Sequence, residues 1–159
     1  MKNIIGVIGT GNYELKQYRD AEITGKLIAE RDCILVCGGL KGVMEAACKG
    51  AKSANGLTIG IVPSSEKSSA NRYVDICIPS GMGEARNILI VNSSDAIIAI
   101  GGSFGTLSEI SFALKSNIPV IGLNTWDVSE KIIKCENPKE AVNIAVDLAA
   151  CNFMQHEKT

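Results

Sequence analysis

The chain has 159 residues, a length typical of a single domain. Hydrophobic residues make up 46% and charged residues 21%, a balance typical of globular proteins and not of disordered chains. Lys and Arg total 16 against 17 Asp and Glu, which leaves a net charge of -1, and aromatic residues are only 4%. We therefore expect neither a nucleic acid nor a membrane surface as a partner.

The N-terminal residues and the cysteines indicate the cellular compartment. The chain reaches glycine at Gly6 without the apolar core of a signal peptide, and no apolar run approaches the ~20 residues that span a bilayer. The six cysteines form no CxxC pair and the one histidine is His156, so the common zinc-site spacings are absent. We expect a soluble, reduced, cytoplasmic protein without a metal site.

The first half of the chain alternates short aliphatic runs with helical patterns. The runs are continuously hydrophobic, which is typical of strands buried on both faces. In chain order we predict a strand at Ile4–Ile8, a helix at Glu14–Arg31, a strand at Cys33–Cys37, a helix at Gly42–Ala54 and a strand at Leu57–Val62. The polar segment Ser64–Arg72 lacks periodicity and is predicted to be a mobile loop.

The second half continues this alternation. We predict a strand at Val74–Ile78, a helix at Glu84–Ser93, a strand at Ala96–Ile100, a helix at Thr106–Ser116, strands at Val120–Leu123 and Lys131–Cys135, and a last helix with Asn137 as N-cap and Pro138 at its first position. This order predicts a doubly wound α/β domain with a mainly parallel sheet and helices on both faces. The domain should fill residues 1–150, with 151–159 as a frayed tail.

Glycines cluster where the predicted strands end. They form four turns, at Gly6–Gly11, Gly38–Gly42, Gly81–Gly83 and Gly101–Thr106. In an open α/β sheet, ligands bind outside the carboxyl ends of the strands. Glycine lets the backbone approach a ligand closely, and a helix that begins just after it offers free N–H groups. These turns, above all the fourth with its Thr106 hydroxyl, therefore suit a phosphate or a carboxylate.

Two familiar nucleotide-binding motifs are absent. A P-loop requires GxxxxGK[ST], and no glycine here precedes Lys-Ser or Lys-Thr in that frame. The dinucleotide fingerprint requires GxGxxG and an acidic residue at the end of the second strand, whereas the first turn is spaced GxxGxG and Cys37 leads directly to Gly38. Hydride transfer is therefore disfavoured.

Three segments carry a resemblance to a known family. GGSFGTLSE at Gly101–Glu109 resembles the GGxGTxxE motif of the Lonely Guy family, a group that often carries a lysine decarboxylase label. CGGLKGVMEAA at Cys37–Ala47 is similar to the group's second glycine turn, and GEARN at Gly83–Asn87 lies where the family places a functional arginine. The resemblance covers Ile4 to Trp126 and is closest to the branch that contains the molybdenum cofactor carrier proteins.

The resemblance implies a Rossmann-like homo-oligomer, a dimer or tetramer, that binds a phosphorylated small molecule. In the phosphoribohydrolase members, an Arg and the motif Glu support cleavage of the N-glycosidic bond of a nucleoside 5'-monophosphate, and the matching positions are Arg86 and Glu109. This chain has Ile100 where the family has Pro, and Ala85 and Asn87 where the enzymes have Glu and Lys. These departures weigh against catalysis more than against binding.

We predict the ligand contacts to come from the glycine turns and the arginine segment. They are Gly9, Thr10, Gly38, Gly39, Gly42, Arg86, Asn87, Gly101, Gly102, Ser103, Gly105 and Thr106. An arginine can hold phosphate bidentately, and a carboxylate at Glu109 can stabilise positive charge that develops on a ribose. Two structural alternatives stay open, a capping box closed by Glu109 and a weak surface ion pair at Arg86.

Three functions follow from these residues. The first is a carrier or binding protein that holds a nucleotide or molybdopterin-type cofactor and needs no further cofactor. The alternative is a nucleoside 5'-monophosphate phosphoribohydrolase, and the third is a sensor whose oligomeric state depends on a bound nucleotide. Lysine decarboxylation has no support, because nothing singles out a Schiff-base lysine. A helix face with Ile88, Val91 and Asn92 is predicted to mediate self-association.

Overall fold

The computed structural model describes residues 1–12 and 14–156, with side chains described through residue 151. Seven strands form one sheet in the order β4-β3-β2-β1-β5-β6-β7, and every neighbouring pair is parallel. The strands are β1 Ile4–Gly9, β2 Ile34–Cys37, β3 Thr58–Val62, β4 Ile76–Pro79, β5 Ala96–Ile100, β6 Val120–Leu123 and β7 Ile133–Cys135. The α-helices are α1 Leu15–Glu30, α2 Val43–Ser53, α3 Asn87–Asn92, α4 Phe104–Lys115 and α5 Pro138–His156. The single-domain, doubly wound α/β fold is confirmed.

Two apolar layers hold the helices to the sheet. On one face α1, α2 and α5 cover a core that includes Ile5, Leu35 and Ile98, all fully buried. On the other face α3 and α4 cover a second core with Ile97 and Ile110. The continuous hydrophobicity of the central strands is thus explained, because successive side chains of β5 enter opposite cores. The edge strands β4 and β7 are partly exposed and are not buried on both faces.

Some element boundaries differ from the sequence-based prediction. The segment predicted as one helix at Glu84–Ser93 is a 3-10 turn, Gly83–Arg86, followed by the short α3. The last helix begins at Pro138 with Asn137 accepting the N–H of Glu140 at 3.0 Å, as predicted, but it continues through His156 into the predicted tail. Residues 157–159 lie outside the described part of the chain.

The chain reverses its direction of progress across the sheet at β1. Strands β2 to β4 follow on one side of β1, whereas β5 to β7 follow on the other, and Gly9 at the end of β1 pairs with Ile100 at the end of β5. A crevice forms where such a reversal leaves two turns pointing apart, outside the carboxyl ends of the strands. No helix in the described residues is long and apolar enough to cross a membrane.

Candidate functional site

A cavity of about 510 Å³ lies at the carboxyl ends of β1, β2 and β5. Residues from the first, second and fourth glycine turns or next to them, from the arginine segment and from the polar loop line it: Gly11, Asn12, Leu40, Lys41, Met44, Ser69, Glu84, Arg86 and Ser103. The sequence-based prediction named only two of these, Arg86 and Ser103. The cavity sits at the point of strand reversal, where the fold is expected to bind ligands.

Arg86 is the buried cation of this cavity. The 3-10 turn Gly83–Arg86 places it there with only 5% of its surface exposed. One terminal nitrogen donates to the Asn87 side-chain oxygen, and the other donates to the Gly38 carbonyl at 3.5 Å. Its Nε–H is buried and finds no acceptor among the described residues. The alternative of a weak surface ion pair is therefore wrong, because the guanidinium is neither exposed nor paired with a carboxylate in the described part of the chain.

Glu109 is the buried acid of the same region, with 6% of its surface exposed. Burial raises the pKa of its carboxyl group to about 8, the positive charge of Arg86 partly offsets this, and Glu84 adds to the rise. Glu109 therefore holds its proton at neutral pH, since deprotonation would place a charge in a poorly solvated site.

Helix α4 is capped by other residues than Glu109. The Ser103 hydroxyl accepts the backbone N–H of Thr106, and the Thr106 hydroxyl accepts that of Ser103, at 3.4 Å in the second case. This reciprocal capping box satisfies two free donors of the helix start. The alternative in which Glu109 closes the capping box is therefore wrong, because the buried Thr106 is the N3 residue of the box and Ser103 is the N-cap.

The fold does not require glycine at two positions near the cavity, Gly11 and Gly105. A Cβ on Gly11 would meet nothing within 4 Å, and one on Gly105 would meet only Glu84 Oε2 at 3.8 Å and Ser103 Oγ at 3.9 Å. Neither glycine has a positive φ. The folded chain thus tolerates a side chain at both positions. Gly11 lines the cavity, and a side chain at Gly105 would extend toward Glu84 and Ser103, two residues that line it.

The first two residues of the fourth turn face away from this cavity. Gly101 and Gly102 border a separate depression of about 370 Å³, together with Gln17 and Trp126. A Cβ on Gly101 would lie 2.5 Å from the Gln17 side chain, and one on Gly102 would lie 3.0 Å from the Trp126 ring. Both glycines also have positive φ, so the turn itself requires them.

The remaining predicted contact residues have roles within the protein. A Cβ on Gly9 would lie 2.5 Å from Val43 and 2.6 Å from the Ile100 carbonyl oxygen, and one on Gly38 would lie 2.7 Å from Arg86. The Thr10 carbonyl accepts a hydrogen bond from the Val43 N–H. Gly39 and Gly42 have positive φ. Asn87 is buried, and its amide bonds to Arg86, Gly105 and Ser108. These residues shape the cavity wall or hold Arg86.

The α-helix predicted at Glu84–Ser93 would place Glu84 and Arg86, which are two residues apart, on different faces, and this expectation is wrong. The segment is a tighter 3-10 turn, and both side chains line the cavity. The contribution of the polar loop Ser64–Arg72 to the cavity was not predicted, for another reason. Its residue Asn71 donates to the carbonyls of Gly39 and Leu40 at 3.2 and 2.9 Å, which fixes the loop against the second turn and brings Ser69 to the cavity.

Two cysteines pack beneath the second turn. The sulfurs of Cys37 and Cys48 lie 3.5 Å apart and are fully buried, and the Gly39 N–H donates to Cys37 Sγ at 3.3 Å. Hydrogen bonding with Cys48 lowers the pKa of Cys37, and the same contact raises that of Cys48. Among the described residues, no group of three His, Cys, Asp or Glu side chains is placed to hold a metal ion.

Comparison with known proteins gives the family. The model of the SLOG cluster4 family matches residues 2–151. The chain belongs to the SLOG cluster4 family. This SLOG cluster4 protein is 49% identical over 142 residues to an uncharacterized protein of Archaeoglobus fulgidus, with 89% of this chain and 93% of that one covered.

The SLOG cluster4 chain is similar to solved structures of two proteins named for the molybdenum cofactor. It is similar to the molybdenum cofactor binding protein of Rippkaea orientalis (39% identity, TM-score 0.86, 91% of this chain and 95% of that chain). It is also similar to the molybdenum cofactor carrier protein of Chlamydomonas reinhardtii (35% identity, TM-score 0.86, 94% and 99%). The predicted membership of the Lonely Guy superfamily, near the molybdenum cofactor carrier branch, is confirmed.

A curated plant enzyme is similar over part of the chain. The "Probable cytokinin riboside 5'-monophosphate phosphoribohydrolase" of Oryza sativa subsp. japonica is 27% identical over 106 residues. The match covers 64% of the SLOG cluster4 chain but only 47% of that enzyme.

Proposed function

We propose that this SLOG cluster4 protein binds a phosphorylated heterocyclic ligand, a nucleotide or a molybdopterin-type cofactor, and holds it as a carrier or binding protein. The observation that carries the proposal is the buried Arg86 guanidinium, whose Nε–H has no acceptor in the described part of the chain. A buried cation is costly unless an anion with hydrogen-bond acceptors pairs with it. Phosphate oxygens match that requirement, and a guanidinium binds them better than an ammonium does.

The rest of the cavity supports a ligand with both an anionic and an apolar part. Lys41 adds a second cation, Asn12 and Ser69 add polar groups, and Leu40 and Met44 form an apolar wall. At about 510 Å³ the cavity lies within the range of small-molecule sites, roughly 300–1,000 Å³.

The protonated state of Glu109 supports binding over catalysis. Hydrolysis of an N-glycosidic bond develops positive charge on the ribose, which an ionised carboxylate stabilises. With a pKa of about 8, Glu109 is mostly neutral at pH 7 and lacks that charge. The similarity to the Rippkaea and Chlamydomonas proteins over more than nine-tenths of the chain also favours binding over hydrolysis.

Phosphoribohydrolase activity is the second candidate. One observation favours it, the burial of Arg86 and Glu109 close enough for the arginine charge to act on the acid. In this reaction the oxygen of water bonds to the ribose C1', the bond from C1' to the base nitrogen breaks, and the base leaves with a proton as ribose 5-phosphate is released. In this role a neutral Glu109 acts as a general acid, which donates that proton to the leaving base and regains one from the attacking water, and it supplies no negative charge to the ribose.

Incubation of the purified protein with AMP separates the two candidates. Calorimetry measures binding, and chromatography of the same mixture measures released adenine. The binding proposal predicts heat of binding with one AMP per chain and no adenine above that of an AMP-only control. Adenine release that disappears in the Glu109→Gln variant would instead support the hydrolase.

We also propose that the chain forms a homo-oligomer, by a surface other than the one predicted. Val91 is fully buried in the second core, so the face with Ile88 and Asn92 is not a continuous apolar surface. Phe104 is 81% exposed and Met82 47% exposed, which supports a contact near the cavity rim. Sedimentation of a monomer at tens of micromolar protein would contradict the proposal.

Cytoplasmic localisation stays a prediction.

A further inference from the structure

Asn87 joins the arginine turn to helix α4. Its side-chain oxygen accepts a hydrogen bond from Arg86. Its side-chain NH₂ group donates to Ser108 Oγ at 2.9 Å and to the Gly105 carbonyl at 3.4 Å. Asn87 is buried, with 2% of its surface exposed, so water does not replace these partners.

The chemistry of these contacts requires an amide. An acceptor must face the cationic guanidinium at one end, and a donor must face the hydroxyl and carbonyl oxygens at the other. Aspartate supplies only acceptors, and an aliphatic side chain supplies neither group. The same requirement fixes the amide orientation, because the reverse would place the NH₂ group against the guanidinium.

The contacts lie between the two candidate functional side chains. Arg86 directly precedes Asn87, whereas Ser108 directly precedes Glu109. The Ser108 hydroxyl itself donates to the Gly105 carbonyl at 2.7 Å, which ties it to the first turn of α4. Asn87 thus connects the backbone that carries the cation to the backbone that carries the acid.

We propose that Asn87 is a positioning residue, which holds the Arg86 guanidinium toward the cavity and fixes its placement relative to Glu109 on α4. This inference rests on the proposed function for its consequence, the affinity for a phosphorylated ligand. The hydrogen bonds of its amide to protein partners give Asn87 this role beside the predicted ligand contact, which stays a prediction. The placement of the Arg86 guanidinium relative to Glu109 can be tested without any ligand.

The first experiment uses the unligated protein. The pKa of Glu109 is measured by carbon-13 NMR of its carboxyl group in wild type, Asn87→Ala, Arg86→Met and the double variant. Arg86 lowers this pKa, so releasing the guanidinium should raise it in Asn87→Ala toward the value in Arg86→Met. The double variant should match Arg86→Met alone. An unchanged pKa in Asn87→Ala, or an additive effect in the double variant, would overturn the inference.

The second experiment measures AMP affinity by calorimetry for the same four proteins. Asn87→Ala should weaken binding by about tenfold in the wild-type background and have no further effect in the Arg86→Met background. Asn92→Ala is a matched control, because Asn92 is exposed at the other end of α3 and should leave affinity unchanged. Equal losses from Asn87→Ala in both backgrounds would show a general structural role and refute positioning.

Two features keep the test decisive. If Asn87→Ala does not fold, Ser108→Ala removes one of the two acceptors on α4 and should shift the Glu109 pKa in the same direction by a smaller amount. If wild type does not bind AMP while the Glu109 pKa values of the four proteins are as expected, AMP binding is refuted and the positioning role stands. If AMP binds and the effects of Asn87→Ala and Arg86→Met on the Glu109 pKa are additive, the proposed function stands and the positioning role is refuted.

Discussion

Glu109 should make the stability of the protein fall as pH rises. The relevant perturbation is Glu109→Gln, which keeps the size of the side chain and removes its ability to ionise. In the unfolded chain the carboxyl group titrates near 4.5, whereas burial raises its pKa to about 8 in the folded protein. The folded state therefore binds the proton more tightly, and the stabilisation present below pH 4.5 is lost as pH rises through about 8.

The size of this effect follows from the two pKa values. Each pKa unit corresponds to about 1.4 kcal/mol, so the wild type should lose on the order of 5 kcal/mol through Glu109 between about pH 4 and about pH 9. The Gln variant should lack this loss. Arg86 and Glu84, the charged groups that act on Glu109, are common to both proteins, as are the buried thiols. The difference between the two pH profiles thus isolates Glu109.

Urea unfolding at a fixed protein concentration across this pH range measures the effect. The expected result is similar stability below about pH 4.5, a variant that becomes progressively more stable than wild type as pH rises from about 4.5 to about 8, and a constant difference above that. Parallel profiles for the two proteins would refute the reasoning, because they would show that Glu109 ionises in the folded state at little cost. A larger urea dependence in one protein alone would instead indicate a changed unfolded or native state and is checked from the slopes.

Three further variants test the cavity. Gly105→Ala should fold with wild-type stability or gain about 0.5–1 kcal/mol, because Ala is the better helix former and the Cβ has room, yet AMP affinity should fall by about tenfold or more in calorimetry. Gly102→Ala is its counterpart and should lower the thermal midpoint, because the added Cβ meets Trp126 at a positive φ. Arg86→Lys should fold but bind AMP about tenfold more weakly, since an ammonium lacks the guanidinium fork. Wild-type affinity in Gly105→Ala or Arg86→Lys would count against the assigned site.

The strands and the fold class were accessible from the sequence for a physical reason. A strand buried on both faces must be apolar at every position, so β5, AIIAI, is visible without alignment or structure. The capped start of α5 at Asn137 and Pro138 is equally local, since it depends on residues adjacent in the chain. Such features need no tertiary information.

The cavity lining was less accessible because it depends on contacts between distant segments. Whether a glycine of the fourth turn faces the cavity depends on Trp126, which lies more than twenty residues away and covers Gly102. Glu84 was misplaced because the segment that begins at the positive-φ Gly83 is a 3-10 turn, whereas periodicity predicted an α-helix from Glu84. Ser69 reaches the cavity only because Asn71 bonds across to the second turn.

The most direct test of the central claim compares AMP with adenosine on wild type and on Arg86→Met. The account predicts that AMP binds wild type with one molecule per chain, that adenosine binds at least about tenfold more weakly, and that Arg86→Met removes the difference between them. Metal-free molybdopterin, titrated in parallel, should show the same dependence on Arg86 if that heterocycle is the preferred ligand. Absence of binding by both AMP and molybdopterin, or equal affinities for AMP and adenosine in wild type, would contradict the claim that the Arg86 cavity holds a phosphorylated ligand.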